Sequence, residues 1–385
     1  MKKDYKIWIF AGESSGDAYG ADLAKSLKAL FPSDKSLVIS GMGGEKMRSA
    51  GVDIIVDSSE LGVVGFVEVF GKIFTFIRIF RDFVARAERE KPDAVVLIDY
   101  PGFNLRFAEQ MKKKGIPVVW YVSPQVWAWG KKRIPKLAEF CKKMLVIFPF
   151  ETKTYAGSGL DTEFVGHPLV EIVRRRQDPN IKRDKKLILI LPGSRDNEIR
   201  RLLMPMLETA VLISKTRPEF RFAVSLNRPS IYKKCLKIFE NFKRKFPKIP
   251  EINFYCGETE RLLQEADAGM AASGTVTVEC AIAKLPLIVA YKLNPITYFI
   301  GKMLVSLPYF TMVDIICGEL VFREFLQDDV NPKILSSALL EIVHDGPRRA
   351  YVEKKMAEMT QMISSGSEKA SDNAARSIMQ VAGAK

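Results

Sequence analysis

Two successive series of short apolar runs, each run separated from the next by an amphipathic stretch, constrain this chain more than any other feature. Ile7–Phe10, Leu37–Ser40, Ala94–Ile98, Val118–Val122 and Met144–Phe148 form the first series. Short runs that are apolar throughout, rather than at alternate positions, suit strands covered on both faces, as in a parallel sheet flanked by helices. The rhythm breaks around "FVGHPLVEIV", and the basic, proline-containing segment Arg174–Lys186 reads as a solvated connection. It resumes in Leu187–Leu191, Arg221–Val224, Ile252–Tyr255, Ala268–Ala271 and Leu287–Ala290, with helices expected at 199–215, 230–245 and 276–284. The expected fold class is α/β: two doubly wound, Rossmann-like domains facing a cleft. A length of 385 residues accommodates two cores. The expected boundaries are 1–168, 169–360 and a C-terminal helix in 361–385 that packs back on the first domain.

The first strand runs into "FAGESSGDAYGADLAKSL", a strand, turn and helix with glycines at 12, 16 and 20. A dinucleotide fingerprint needs its first two glycines two apart, so that backbone N–H groups meet a pyrophosphate. Here they are four apart, and Glu13 and Asp17 flank the turn, where carboxylates repel phosphate. A nicotinamide enzyme is therefore the weakest reading.

Five scattered cysteines (Cys141, Cys235, Cys256, Cys280, Cys317) show no paired spacing, which argues against disulfides and a zinc site. "MKKDYKIWIF" lacks the pattern of a signal peptide, and no apolar run reaches the ~18 residues of a membrane span. A cytoplasmic location is expected. Lys and Arg outnumber Asp and Glu by 59 to 45, a balance that attracts phosphates, nucleic acid or anionic lipid without choosing among them.

The second series holds two phosphate signals. In "LILILPGSRDNEIRR", Gly193 and Ser194 stand where a strand gives way to a helix, and Arg195 adds a forked donor. "AASGTVTVECAIAKLPLIV" repeats the device, with Ser273, Gly274 and Thr275 opening a helix. Glu279 follows Thr275 by one turn on the same face, where a carboxylate accepts bonds from ribose hydroxyls. Two such elements at the ends of adjacent strands point to a nucleoside diphosphate site.

The first series supplies an acid or base. In "AVVLIDYPGFNLRFA", Asp99 follows a buried strand, and Pro101 and Gly102 turn the chain so that its carboxylate stands at the strand's carboxyl edge. Apolar walls raise a carboxyl's pKa and suit it to general-base work. The position equally suits an Asx turn or a helix N-cap. "WYVSPQVWAWGKKRIPKL" places Trp120, Trp127 and Trp129 beside Lys131, Lys132 and Arg133, a surface for sugar rings or acyl chains. One short cluster is too little to specify nucleic acid. His167, in "VGHPL", reads as a satisfied polar residue at the domain junction.

Taken together, "AGESSGDAYGADL", "GMGGEKMRSAG", "ELGVVGFVEVFGKI", "IDYPGFNLR", "YVSPQVWAW", "FPFE", "FVGHPL", "LPGSR" and "ASGTVTVE" resemble the lipid-A-disaccharide synthase family in order and spacing, from about Phe10 to Gln327. The resemblance implies a GT-B glycosyltransferase without metal or cofactor, joining UDP-2,3-diacylglucosamine to 2,3-diacylglucosamine 1-phosphate with release of UDP. It implies Asp99 as the base on the acceptor's 6-hydroxyl. Gly193, Ser194, Arg195, Ser273, Gly274, Thr275, Glu279 and Gln327 become donor and UDP ligands, and Gly12, Glu13, Ser14, Ser15, Gly16 and Asp17 acceptor ligands. Two positions depart from the family pattern: Val313-Asp314 stands where Pro-Asn is usual, and Gly102 where a second aspartate is usual. Another UDP-N-acetylglucosamine enzyme of the same fold, a lipid-acceptor transferase or a 2-epimerase, is the alternative, and a homodimer stays open.

"GFVEVFGKIFTFIRIFRDFV" has an apolar arc of Phe70, Ile73, Phe76, Ile77, Phe80, Phe83 and Val84 on a helical wheel. Pattern alone also fits a helix wedged between the sheet and a neighbour. Because acylated substrates come from a membrane, Phe70, Ile73, Phe76, Ile77 and Phe80 are expected to contact anionic lipids at the cytoplasmic face of the inner membrane.

Overall fold

The structure, a computed structural model, describes residues 4–58, 69–246, 248–294, 298, 308–343 and 345–384, and of residues 69–73 the backbone only. The chain divides into two compact units, Met1–Pro168 with Ile363–Lys385, and Leu169–Met362.

In the first unit the described strands are β1 (Asp4–Ala11), β2 (Ser36–Gly43), β3 (Asp53–Asp57), β4 (Ala94–Ile98), β5 (Val118–Tyr121), β6 (Lys143–Val146) and β7 (Thr162–Phe164). All pair in parallel, in the order β3-β2-β1-β4-β5-β6-β7. The order reverses between β1 and β4. At such a seam the connecting loops leave for opposite faces of the sheet, and ligands bind at the carboxyl ends there. Register makes the seam level: Ala11 pairs with Ile98, so Gly12 and Asp99 emerge side by side.

Trp8, Phe10, Leu97, Phe107 and Trp120 are wholly buried in the core of this unit. Each such side chain stabilises the fold by roughly 1.5–3 kcal/mol through removal from water. The helix Ala370–Val381 packs on the helix Ser14–Leu30. Ser26 Oγ meets Ser371 Oγ at 2.9 Å and Asp372 Oδ1 at 2.6 Å, and Tyr5 OH donates to the Gly383 carbonyl at 3.0 Å.

The second unit repeats the plan with β8 (Asp184–Leu191), β9 (Arg221–Leu226), β10 (Ile252–Cys256), β11 (Ala266–Ala272), β12 (Leu287–Tyr291) and β13 (Arg323–Leu326), in the order β10-β9-β8-β11-β12-β13. Its reversal lies between β8 and β11, where Leu191 pairs with Ala271. A buried ion pair fastens the helix Pro347–Ile363 to β11: Arg349 Nη1 donates to Asp267 Oδ2 at 2.7 Å and Nη2 to Oδ1 at 3.1 Å.

The segment Arg174–Lys186 is not one solvated connection. Arg174–Arg176 close a helix, Pro168–Arg176, whose Leu169, Val170, Ile172 and Val173 are buried, and β8 has begun by Asp184. The connection is 177–183. Strands β3, β7 and β13 also fall outside the apolar runs read from the sequence, because each is half-buried and carries charge.

Candidate active site

At the seam of the first unit, β4 ends at Ile98 and the chain turns through Asp99 and Tyr100, both left-handed, with φ of +45° and +47°. Residues other than glycine hold such a conformation at a cost of about 1–3 kcal/mol each, and this strain is characteristic of functional turns. Asn104 braces it from the following helix, Pro101–Lys113, with Nδ2 donating to the carbonyls of Ile98 (3.3 Å) and Asp99 (2.7 Å). The N-cap of that helix is Tyr100, without a side-chain cap, so the Asp99 carboxylate is not the cap. Asp99 is half-buried, and burial, reinforced by the negative charge of Glu13, raises its carboxyl to about pKa 6. Neutral pH therefore leaves it ionised yet more basic than an ordinary carboxylate.

Glu13 occupies the N-cap position of Ser14–Leu30 with its side chain making no cap. Gly12 is required by close approach: a Cβ there would lie 2.4 Å from Cγ of Tyr100. Ser14 is exposed and Ser15 half-exposed.

Gly16 and Asp17 are corrections to the expected acceptor set. Gly16 is buried, and a Cβ on it would touch Ala11 and Ile98 at 3.4 Å, so it serves helix-to-sheet packing. Asp17 is buried and accepts from the amides of Gly44 (2.7 Å), Lys46 (3.1 Å) and Met47 (3.1 Å), capping the short helix Glu45–Ser49. A carboxylate so occupied has little left for a sugar hydroxyl.

At the seam of the second unit, Gly193 has φ of +110°, and a Cβ there would meet Glu198 Oε2 at 2.4 Å. Glu198 Oε2 accepts from the amides of Ser194 (2.8 Å) and Arg195 (3.2 Å), so the backbone donors expected to be free for phosphate carry a carboxylate. Glu198 is the residue that sequence reasoning missed, although a Glu three positions after a helix cap is a known signature. Arg195 itself is largely exposed. It lines a cavity of about 550 Å³ with Glu198, Arg201, Tyr291 and Lys292, a basic hollow suited to an anion.

Beside it, β11 leads through Ser273 and Gly274 into the helix Thr275–Ile282. Gly274 is extended, no side chain caps the helix, and a Cβ at Gly274 would meet nothing within 4 Å. Gly274 and Thr275 are exposed at this helix start, a favourable site for a diphosphate, although the Thr277 amide is already taken by the Gly274 carbonyl (3.0 Å). Glu279 is half-buried on the same helix, four residues after Thr275. Gln327 has its amide taken from both ends by Leu293, Oε1 accepting at 2.7 Å and Nε2 donating at 3.3 Å. It shapes the cavity wall at Leu293 rather than offering its own amide.

On the helix Val69–Glu90, the side chains of Phe70 and Ile73 lie outside the described residues. Phe80 stands edge-on to Phe103 at 5.5 Å and belongs to the rim of the core, and Phe83 lies wholly within it. Phe80 is thus removed from the expected lipid-facing set. Phe76 is half-buried, Ile77 is 42% exposed, and Phe74, absent from the expected arc, is 81% exposed. Among the described residues no helix is long and apolar enough to cross a membrane.

The tryptophans part company: Trp120 is core, whereas Trp129 is half exposed beneath the Arg133 guanidinium, 4.8 Å away. His167 is buried beside Phe148, and burial pushes its imidazole down to about pKa 3, as a structural residue requires.

Two relatives named lipid-A-disaccharide synthase are 38% identical over 98% of both chains (Koribacter versatilis) and 35% identical over 97% of both chains (Coxiella burnetii). Among solved structures, the putative UDP-N-acetylglucosamine 2-epimerase of Listeria monocytogenes has a TM-score of 0.66 at 12% identity, covering 96% of this chain and 94% of that one. The MurG of Acinetobacter baumannii has a TM-score of 0.55 at 15% identity, covering 98% and 99%. Likeness at that identity establishes the GT-B fold and no more. The family model described as lipid-A-disaccharide synthetase matches residues 7–380, and the chain belongs to that family.

Proposed function

We propose that this glycosyltransferase of lipid A biosynthesis condenses UDP-2,3-diacylglucosamine with 2,3-diacylglucosamine 1-phosphate, with Asp99 as its general base. Asp99 takes the proton of the acceptor's 6-hydroxyl as that oxygen attacks the anomeric carbon of the donor. The carbon's bond to the UDP oxygen breaks on the opposite face, its electron pair leaves with UDP, and the configuration inverts to a β-1,6 linkage. Arg195 and the exposed N-terminus of the helix Thr275–Ile282 oppose the charge that develops on the diphosphate. Entry of the diphosphate at Gly193–Arg195 requires Glu198 to yield the amides of Ser194 and Arg195, or the diphosphate to lie on the Arg195 side chain beside them. Glu279 accepts from the ribose, and Gln327 supports the wall of the donor site through Leu293. Gly12, Glu13, Ser14 and Ser15 border the acceptor.

The observation that carries this reading is the strained Asp99–Tyr100 turn, which sets a half-buried, basic carboxylate at the switch point of the first sheet. Mass spectrometry after mixing both lipid sugars with the protein tests it. The expected product is the disaccharide 1-phosphate with one UDP released per linkage, and UDP release without a disaccharide would overturn the assignment.

The acylated substrates place the work at a membrane. The exposed pair Phe74 and Ile77, with exposed Arg78 and Arg81 beside them, supports a contact in which apolar side chains enter the interface and arginines meet anionic headgroups. The cytoplasmic face of the inner membrane is the location this implies.

A further inference from the structure

Asp314 lies in the helix Met312–Cys317, wholly buried. Its Oδ1 accepts from the amides of Val321 (3.0 Å) and Phe322 (2.9 Å). Its Oδ2 is equally buried and has no partner among the described residues. The carboxyl that adjoins it is Glu324 of β13, whose oxygens accept from the amides of Phe310 (3.0 and 3.1 Å) and Thr311 (2.7 Å). Buried Asp314 and half-buried Glu324 repel each other when both are ionised, and an unpaired buried oxygen costs about 1–3 kcal/mol. One proton removes both difficulties. It belongs on Asp314 Oδ2, the oxygen without a donor, since Glu324 is already held by backbone amides.

We propose that Asp314 and Glu324 share one proton, and that the hydrogen bond from Asp314 Oδ2 to Glu324 positions the loop Phe310–Thr311 beneath the donor site. Ser273 Oγ donates to the Phe310 carbonyl at 3.4 Å, and the helix Met312–Cys317 packs on Thr275–Ile282. The shared proton is therefore linked to the turn that opens the diphosphate site through two hydrogen bonds, from the Phe310 amide to Glu324 and from Ser273 Oγ to the Phe310 carbonyl. This consequence rests on the reading of Ser273–Thr275 given above. Asp314 and Glu324 are positioning residues, since neither is placed to touch the donor.

Burial and the charge of Glu324 favour retention of the proton near neutrality, against the Arg348 guanidinium and the Thr311 hydroxyl, which favour the ionised form. Glu324 faces Asp314 from β13, Cys317 lies one turn along its own helix, and Arg348 approaches from Pro347–Ile363, where its Nη2 donates to the Val321 carbonyl at 2.6 Å. Burial first, with the charge of Glu324 after it, raises Asp314 to about pKa 8. The folded-state pKa lies above the unfolded one, so the stabilisation is complete below the unfolded value and is lost as pH rises to about 8. Donor affinity depends on the folded protein alone, so it holds until about pH 8 and declines above it.

Asp314→Asn supplies the same hydrogen bond from an amide that does not titrate. The test compares parent and variant by calorimetric titration with UDP from about pH 6.5 to about pH 9.5, and by melting of the unliganded proteins from about pH 4 upward. Parental UDP affinity is expected to fall about tenfold or more relative to the variant above pH 8, a ratio that cancels the titration of UDP itself. The variant's advantage in Tm should widen up to about pH 8 and then stay constant. A Tm difference independent of pH would overturn the shared proton. A widening Tm difference with an affinity ratio independent of pH would overturn the link to the donor site. If neither protein binds UDP while the Tm difference widens, the donor-site reading fails and the shared proton stands. Should Asp314→Asn not fold, Glu324→Gln serves: its amide donates to ionised Asp314 while its carbonyl oxygen keeps the loop amides, and the same pH dependence should vanish.

Discussion

Replacing Glu13 by Gln should shift the acid limb of turnover toward lower pH. A general base works only when ionised, so kcat/KM should climb about tenfold per pH unit below the pKa of Asp99 and level off above it. The rise of Asp99 from 3.8 to about 6 amounts to about 3 kcal/mol of disfavoured ionisation. Burial is the larger cause and Glu13 the second, so loss of the Glu13 charge accounts for less than half, at most about one pH unit. At about pH 5 the parent holds roughly a tenth of Asp99 ionised, and the variant up to about half, for a gain of up to ~5-fold in kcat/KM. At about pH 8 both are fully ionised, and the weaker base should be slower, by up to ~3-fold for a Brønsted slope near one half. The two profiles should cross. UDP release measured across this range decides it, with ionisation of the substrates cancelling in the ratio. A uniform loss at every pH would mean that Glu13 only binds acceptor, and an acid limb displaced upward would refute the electrostatic reasoning.

Arg195→Ala and Glu279→Ala should each weaken UDP binding by roughly 1–3 kcal/mol, about ten- to a hundredfold, and unchanged calorimetric affinity in both would dislodge the donor site. Phe74→Ser with Ile77→Ser should reduce sedimentation with anionic vesicles at an unchanged Tm; undiminished binding by the folded variant would exclude this face. Asp267→Ala takes the buried carboxylate from Arg349, which keeps Glu353 (2.8 Å) and the Ile342 carbonyl (3.0 Å), and should destabilise the protein by about 1–3 kcal/mol in denaturant unfolding, whereas an unchanged stability would show that the remaining partners and solvent replace it. EDTA should leave turnover unaltered, because Arg195 and the Thr275 helix start oppose the leaving charge; activity lost to EDTA and restored by magnesium would contradict that.

The central strands were legible because a strand covered on both faces must be apolar throughout: Ala94–Ile98 reads as five buried residues and is found as such. Edge strands escape the same reading. Asp53–Asp57 and Arg323–Leu326 face water on part of their surface and carry charge, so their sequences resemble loops. The seams were legible as glycine-bearing turns after strands, but the partners of the carboxylates were not. Asp17 and Glu198 look alike in sequence as acids beside a turn, and only folding shows Asp17 capping a helix that begins 28 residues later, at Glu45. The helix expected to face lipid shows the same limit: a wheel gives the apolar stripe, but the sheet decides that Phe80 and Phe83 are covered while Phe74 is bare.

Single-turnover transfer by Asp99→Ala, read beside its UDP affinity, tests the assignment of the base most directly. With donor and enzyme in excess over the acceptor, the variant is expected to form disaccharide ~10²–10⁴-fold more slowly than the parent, at an unchanged Kd for UDP. Transfer within a few-fold of the parental rate would show that another group removes the acceptor proton, and the role given to the Asp99 turn would fall.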